Sequence, residues 1–292
     1  MQINLEKLNP YDNSTYLIRE YIQSSFKSPR HYHQEFELAY IEESYGKLYM
    51  GNTIADFKKG DLFLFAPRVI HCFKNPKCYE ETQKDAKAVC VFFMPDFLGG
   101  DFLHKTQTKM LNAMFQKSVM GLQFPKPSAE IIELLKSMFN AKNLRGVISL
   151  LKILDILSLQ KNVKILSGTL LNKYYYKHAK DDRIDKVMDF VYKNYHKKIT
   201  AKEIADLIFM SEAGFSRFFK SRTEINFTEF INEIRLSNAQ QLLIETNKSI
   251  QNISMECGYE NLSYFNRQFK SHNNLSPKVF RDYFVNISME GS

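Results

Sequence analysis

The chain has 292 residues, 44% of them hydrophobic, with a net charge of +8 and a pI near 9.1. That is room for about two domains, at roughly 100–200 residues each, and no apolar run reaches the roughly 18 residues of a membrane span. The four cysteines, Cys72, Cys78, Cys90 and Cys257, form no C-x-x-C pair and read as free thiols in a reducing cytoplasm.

The basic charge permits a polyanion partner without proving one. Residues 173–292 carry 18 Lys and Arg against 15 Asp and Glu, a net of only +3. The positions of the charges therefore matter more than their sum. The N-terminus lacks a charged start followed by an apolar block, so no signal peptide is expected.

Residues 1–24 show no clear pattern. From His31 to about Phe93 the texture is β: short alternating runs at 35–41, 47–50, 61–65 and 88–93, separated by turn residues near Gly46, Gly51, Gly60 and Pro76. This spacing predicts an antiparallel barrel or sandwich. Within it His31-x-His33-x-x-x-Glu37 falls on the predicted first strand. The even spacings put these three side chains on one face. With His71 they form a set of three nitrogens and one carboxylate. Such a set can hold a divalent transition metal, or it can line a metal-free pocket for one small ligand.

Residues 97–121 read as helical but broken at Gly99-Gly100. Two amphipathic helices come next, with apolar stripes at Ile131, Leu134, Leu135 and Met138 and at Val147, Leu150, Leu151, Leu154 and Leu157. Ser128 is the expected N-cap of the first, and Gly146 the break before the second. Their stripes are expected to pack on the barrel, across a dimer, or both. Residues 167–181 lose periodicity and read as a linker.

From Ile184 the chain reads as helices punctuated by caps at Thr200, Ser211, Asn226, Ser249, Asn261 and Ser276. One pattern occurs twice: Phe215-x-Arg217-x-Phe219-Lys220-Ser221 and Phe265-x-Arg267-x-Phe269-Lys270-Ser271. On a helix each Phe pair shares one face. Ala213, Ser216, Arg217 and Lys220 share another, as do Ser263, Asn266, Arg267 and Lys270. Those faces suit a DNA major groove, where Arg, Asn and Ser read base edges and Lys meets phosphate. Each is preceded by a short helix, at Ile204-Ala205 or Ile253-Ser254, so two helix-turn-helix units are predicted, joined by a long helix through about Glu245.

Residues 182–284, above all Ile253-Ser-Met-Glu-Cys257-Gly258-Tyr259, Leu262 to Lys270 and Ser276-Pro277-Lys-Val-Phe-Arg281, resemble the C-terminal signature of the AraC/XylS family of bacterial transcription regulators. The histidine and glutamate pattern resembles the two motifs of the cupin barrel found in the ligand-sensing half of many members. It departs from them in lacking a Gly after Glu37 and the Gly of P-x-G-x-x-H before His71. These departures favour the metal-free pocket.

The resemblance implies an α+β chain of two domains. Residues 1–166 form a cupin-like antiparallel β-barrel with packed helices for ligand sensing and dimerisation, and 182–287 an all-α DNA-binding domain. It implies that Ala213, Ser216, Arg217, Ser263, Asn266 and Arg267 face bases, with Lys220 and Lys270 near phosphate. Double-stranded DNA is the expected partner, with a small-molecule effector, a sugar or another metabolite, near His31, His33, Glu37 and His71. A cytoplasmic homodimer is expected, with RNA polymerase as a further partner when it acts as an activator. No cofactor and no catalytic residue are expected. The alternative is a metal-dependent cupin enzyme using the same four residues, with the helices as an accessory domain.

Overall fold

The computed structural model describes residues 3–8, 14–166 and 182–290, with side chains through 284. The expected linker, 167–181, lies outside the described residues. The chain divides into two compact units, a sheet-rich one drawn mainly from residues 5–166 and a helical one drawn mainly from 182 onward.

The sheet-rich unit contains strands β1 (Asn4–Leu5), β2 (Leu17–Gln23), β3 (His31–Tyr32), β4 (Phe36–Glu43), β5 (Tyr45–Met50), β6 (Thr53–Lys58), β7 (Asp61–Phe65), β8 (His71–Lys74), β9 (Ala86–Phe93), β10 (Leu122–Pro125) and β11 (Lys164–Ile165). They form two sheets, ordered β1-β3-β8-β5-β6 and β11-β10-β7-β4-β9-β2. The registers β3·β8, β5·β8, β4·β7, β4·β9, β2·β9, β7·β10 and β10·β11 are all antiparallel. Residues from both sheets, among them Leu38, Leu48, Phe57, Phe63 and Val91, pack into one hydrophobic core.

Three helices complete this unit: α1 (Lys109–Ser118), α2 (Ala129–Met138) and α3 (Arg145–Ser158). The Ser128 hydroxyl accepts from the Ile131 N–H, as its cap position requires. Ile131, Leu135, Met138, Leu150, Ile153, Leu154 and Leu157 are buried in the same core as the sheets. The stripes therefore pack within the subunit.

Several expectations need correction. Residues 97–108 form turns and short 3-10 segments (Phe102–His104, Thr106–Thr108), and the α-helix starts only at Lys109. Gly146 is not a break. It sits inside α3, where an added Cβ would lie 1.9 Å from the Tyr16 hydroxyl, so the glycine makes room for that ring. Residues 1–24 hold two strands, β1 and β2. The run containing His31, His33 and Glu37 is not one strand: the chain leaves β3 after Tyr32 and enters β4, in the other sheet, at Phe36.

The helical unit contains α4 (Asp182–Asn194), α5 (Ala201–Leu207), α6 (Glu212–Thr223), α7 (Phe227–Glu245), α8 (Ile250–Glu256), α9 (Leu262–Asn273) and α10 (Pro277–Glu290). All the expected caps form. Thr200, Ser211, Asn226, Ser249, Asn261 and Ser276 accept from the N–H groups of Glu203, Gly214, Glu229, Asn252, Tyr264 and Val279. Each satisfies an N–H that a helix start leaves without a partner.

Two arginines clasp the backbone near the points where α4 and α7 end. Arg235 on α7 donates to the Tyr195 and Lys197 carbonyls beyond α4 at 2.8 and 2.7 Å. Arg281 on α10 donates to the Leu243 and Lys248 carbonyls around the end of α7 at 3.1 and 2.6 Å. In each case the guanidinium fork holds the entry to a short helix and turn. No helix among the described residues is long and apolar enough to cross a membrane.

Candidate nucleic-acid interface and ligand site

The repeat of the sequence is a repeat of structure. In α6, Phe215 and Phe219 are fully buried, packing edge-on against Phe227 at 5.0 and 5.3 Å between ring centroids. In α9, Phe265 and Phe269 are equally buried, with Phe269 edge-on to Phe280 at 5.3 Å. These aromatic anchors fix how each helix is rotated. Ala213, Ser216, Arg217 and Lys220 on α6, and Ser263, Asn266, Arg267 and Lys270 on α9, are all exposed. The hydrogen bond from the Ser216 hydroxyl to the Glu212 carbonyl, at 3.0 Å, leaves its oxygen outward as an acceptor. Arg267 lies over the Tyr264 ring, 5.4 Å from its centroid. The aromatic ring pre-orients the guanidinium. Tyr264 has no sequence signal because it falls between the polar stripe and the apolar one.

The turns of the two units differ. Gly258, after α8, takes φ +83°, and the equivalent position after α5 is Phe209 at φ 57° with its side chain 93% exposed. Both close the helix in the left-handed region, where glycine is at ease and phenylalanine is strained.

In the sheet-rich unit the structure brings His31, His33, Glu37 and His71 together: one nitrogen from each ring and one Glu37 oxygen lie within 4.8 Å of one another. His31 and His71 face each other across the β3·β8 ladder, with ring centroids 4.7 Å apart. His33 reaches in from the crossing between the sheets, and Glu37 from β4. The Glu37 Oε2 atom lies 3.0 Å from His33 Nε2 and 2.7 Å from His71 Nε2. Glu6, from the chain's first strand region, lies 3.2 Å from His31 Nε2.

Burial alone would push the Glu37 carboxyl up. The His71 and His33 rings outweigh it and hold the group well below the usual carboxylate range. Burial, then the neighbouring His71 ring, pushes the His31 ring down to about 3. His33 moves the other way: burial opposes its proton, but the hydrogen bond and charge of Glu37 prevail and raise it. Burial, then the Glu37 charge, pushes the Cys90 thiol well above its ordinary value, so it is not a ready nucleophile. Beside the cluster opens a cavity of about 80 Å³, lined by His31, Glu37, Glu6, Tyr21, Gln23 and Cys90 among others.

Residues 13–141 match the AraC-like ligand binding domain family, and residues 204–283 match a helix-turn-helix domain family. The lactose operon transcription activator of Staphylococcus xylosus is 30% identical over 104 residues, which are 36% of this chain and 37% of that protein. The bifunctional transcriptional activator/DNA repair enzyme AdaA of Bacillus subtilis is 33% identical over 98 residues, 34% of this chain and 46% of that protein. The matched region thus spans less than half the length of either curated relative. Among solved structures, ToxT of Vibrio cholerae is 16% identical over 93% of this chain and all of that one, with a TM-score of 0.39.

Proposed function

Because the chain carries an AraC-like ligand-binding domain followed by an AraC-type helix-turn-helix domain, we propose that it is a sequence-specific transcription regulator answering to a small molecule. The observation that carries this reading is the duplication of exposed Ser/Asn-Arg-Lys faces on α6 and α9, each locked outward by a buried Phe pair. In this reading Ala213, Ser216, Arg217, Ser263, Asn266 and Arg267 meet base edges in two successive major-groove segments, and Lys220 and Lys270 meet phosphates. RNA polymerase is a further partner when the regulator activates. The effector enters the cavity beside His31, His33, Glu37 and His71. We read no catalytic residue in the chain, and we place its work in the cytoplasm, where the operator is.

Selection from a random-sequence DNA pool tests this reading. The full chain is expected to enrich a motif with two conserved blocks about one helical turn apart. Enrichment of no motif at all contradicts the reading.

We place the homodimer contact within residues 128–160. The support is a set of apolar side chains left outward around α2 and α3: Phe139, Leu144, Ile148 and Leu159 are 41–64% exposed. Sedimentation equilibrium should show the double variant Leu144→Asp, Ile148→Asp shifted to monomer. A dimer of unchanged strength would put the contact elsewhere.

A further inference from the structure

The helix that joins the two reading helices has a polar face of its own. Thr228, Ile231, Asn232 and Arg235 stand at i, i+3, i+4 and i+7 on α7, so they share one side of it. With Ser216 and Lys220 of α6 they line a cleft of about 360 Å³. Arg235 is already engaged, donating to the Tyr195 and Lys197 carbonyls. That clasp holds α7 in place beneath the cleft. Thr228 is exposed and Asn232 half-buried, so both can reach a molecule lying in it.

The cleft lies between the two reading faces. Ser216 and Lys220 belong to the reading face of α6. On the other side Asn232 donates to the Tyr264 hydroxyl on α9 at 3.5 Å, and Tyr264 is the ring beneath Arg267. On one face of B-DNA, successive major-groove segments are separated by the minor groove and the two phosphate strands that border it. A protein surface between two reading helices therefore meets phosphate before it meets any base. The chemistry of the cleft agrees. Lys220 and Arg235 are cationic, and among the described residues that line the cleft none is acidic. Hydroxyl and amide groups donate to phosphate oxygens. An asparagine amide has two hydrogens, so the one given to Tyr264 leaves a second for the cleft.

We propose that this cleft seats the phosphate backbone of the spacer between the two major-groove blocks, with Thr228 and Asn232 as its contacts, and that it makes affinity depend on the shape of DNA whose bases no side chain reads. The inference rests on the reading of α6 and α9 as DNA-reading helices. A phosphate contact carries no base identity. It fixes where the strand must lie, and sequences differ in the energy needed to bring it there. Sites with identical blocks are then ranked by the groove width and stiffness of the spacer.

The test uses the full chain and its selected site, with single spacer phosphates replaced by neutral methylphosphonates. One or two adjacent replacements should weaken wild-type binding by roughly 3–10-fold, the worth of a hydrogen bond to the backbone. Asn232→Ala and Thr228→Val should each weaken the unmodified site by a similar factor. On the sensitive methylphosphonate site at least one of them should cause no further loss, because the partners of one contact are not additive. At a methylphosphonate outside the two blocks the losses should multiply. Tyr264→Phe removes only the hydroxyl bonded to Asn232 and should keep the wild-type sensitivity to the spacer phosphates.

Three results overturn the proposal: no spacer phosphate whose replacement weakens binding, losses that multiply for both variants at every spacer phosphate, or a Tyr264→Phe protein that has lost the sensitivity as Asn232→Ala has. The last would mean that Asn232 acts through Tyr264 and not on phosphate. Any of these, with the two blocks still selected and still bound, sinks the cleft alone. Failure to select any motif sinks the regulator reading and this inference with it.

Discussion

Gly258→Ala is expected to destabilise the helical unit by roughly 2–5 kcal/mol, the left-handed backbone and the overpacking adding together. At φ +83° any β-carbon is strained. Here it would also lie 2.7 Å from the Tyr195 carbonyl oxygen and 3.0 Å from the His196 carbonyl carbon and oxygen. These are backbone atoms, held in turn by Arg235, which donates to that same Tyr195 carbonyl. They cannot swing aside as a flexible side chain would. The equivalent turn in the first unit predicts the opposite sign. Phe209 has φ 57° and points its ring into open solvent. Phe209→Gly should therefore stabilise by about 0.5–1 kcal/mol, the relief of left-handed strain exceeding the entropy that glycine costs. Urea unfolding of the full chain, monitored by helical circular dichroism, reads both variants. A Gly258→Ala protein within about 0.5 kcal/mol of wild type would mean that the turn moves freely.

Arg267→Ala should lose about 1–3 kcal/mol of discrimination between the selected site and its single-base variants, in one half of the site only. In the proposed function a guanidinium contacts a guanine through two hydrogen bonds, and Tyr264 beneath Arg267 limits the conformations it must give up to do so. Arg217→Ala should relax the other half. On its reading face α6 offers Arg217 no residue equivalent to Tyr264, and its neighbour Ala213 offers bases only a methyl group, so the first helix is expected to read fewer bases than the second. Lys270→Ala should weaken specific and random DNA alike and reduce the salt slope by about one. Competition binding at several salt concentrations distinguishes the roles. Equal losses on specific and random DNA for Arg267→Ala would make Arg267 a phosphate contact.

Burial decides which elements are legible in the sequence. Strands β4, β5, β7 and β9 are legible because they lie inside the sheets and carry dense apolar runs. None of the four edge strands, β1, β2, β6 and β11, has such a signal. β2 and β6 alternate only between half-buried and exposed positions for most of their length, so no period stands out. The helix caps are legible to the residue, because a cap is a local hydrogen bond that needs no tertiary context.

The barrel cluster is legible for the wrong reason. Even spacing on one strand suggests that His31, His33 and Glu37 converge. They converge because the chain crosses from one sheet to the other between them. Glu6 and the cavity walls from β2 and β9 have no sequence signal at all, since residues far apart in the chain form them only after the sheets pair. Arg235 and Arg281 are hidden likewise: their value lies in carbonyls about 33–40 residues earlier in the chain.

In the proposed function a single chain presents two reading helices spaced for one face of DNA. The 19-residue α7 joins the two units, and at about 1.5 Å per residue it spans close to 28 Å, comparable with the ~34 Å between successive major-groove segments. Hydroxyl-radical footprinting of the full chain on its selected site measures this directly. Protection of two segments about one turn apart on the same face is expected, with Arg217→Ala weakening one and Arg267→Ala the other. Protection of a single groove segment per chain, or equal weakening of both segments by either substitution, would contradict it.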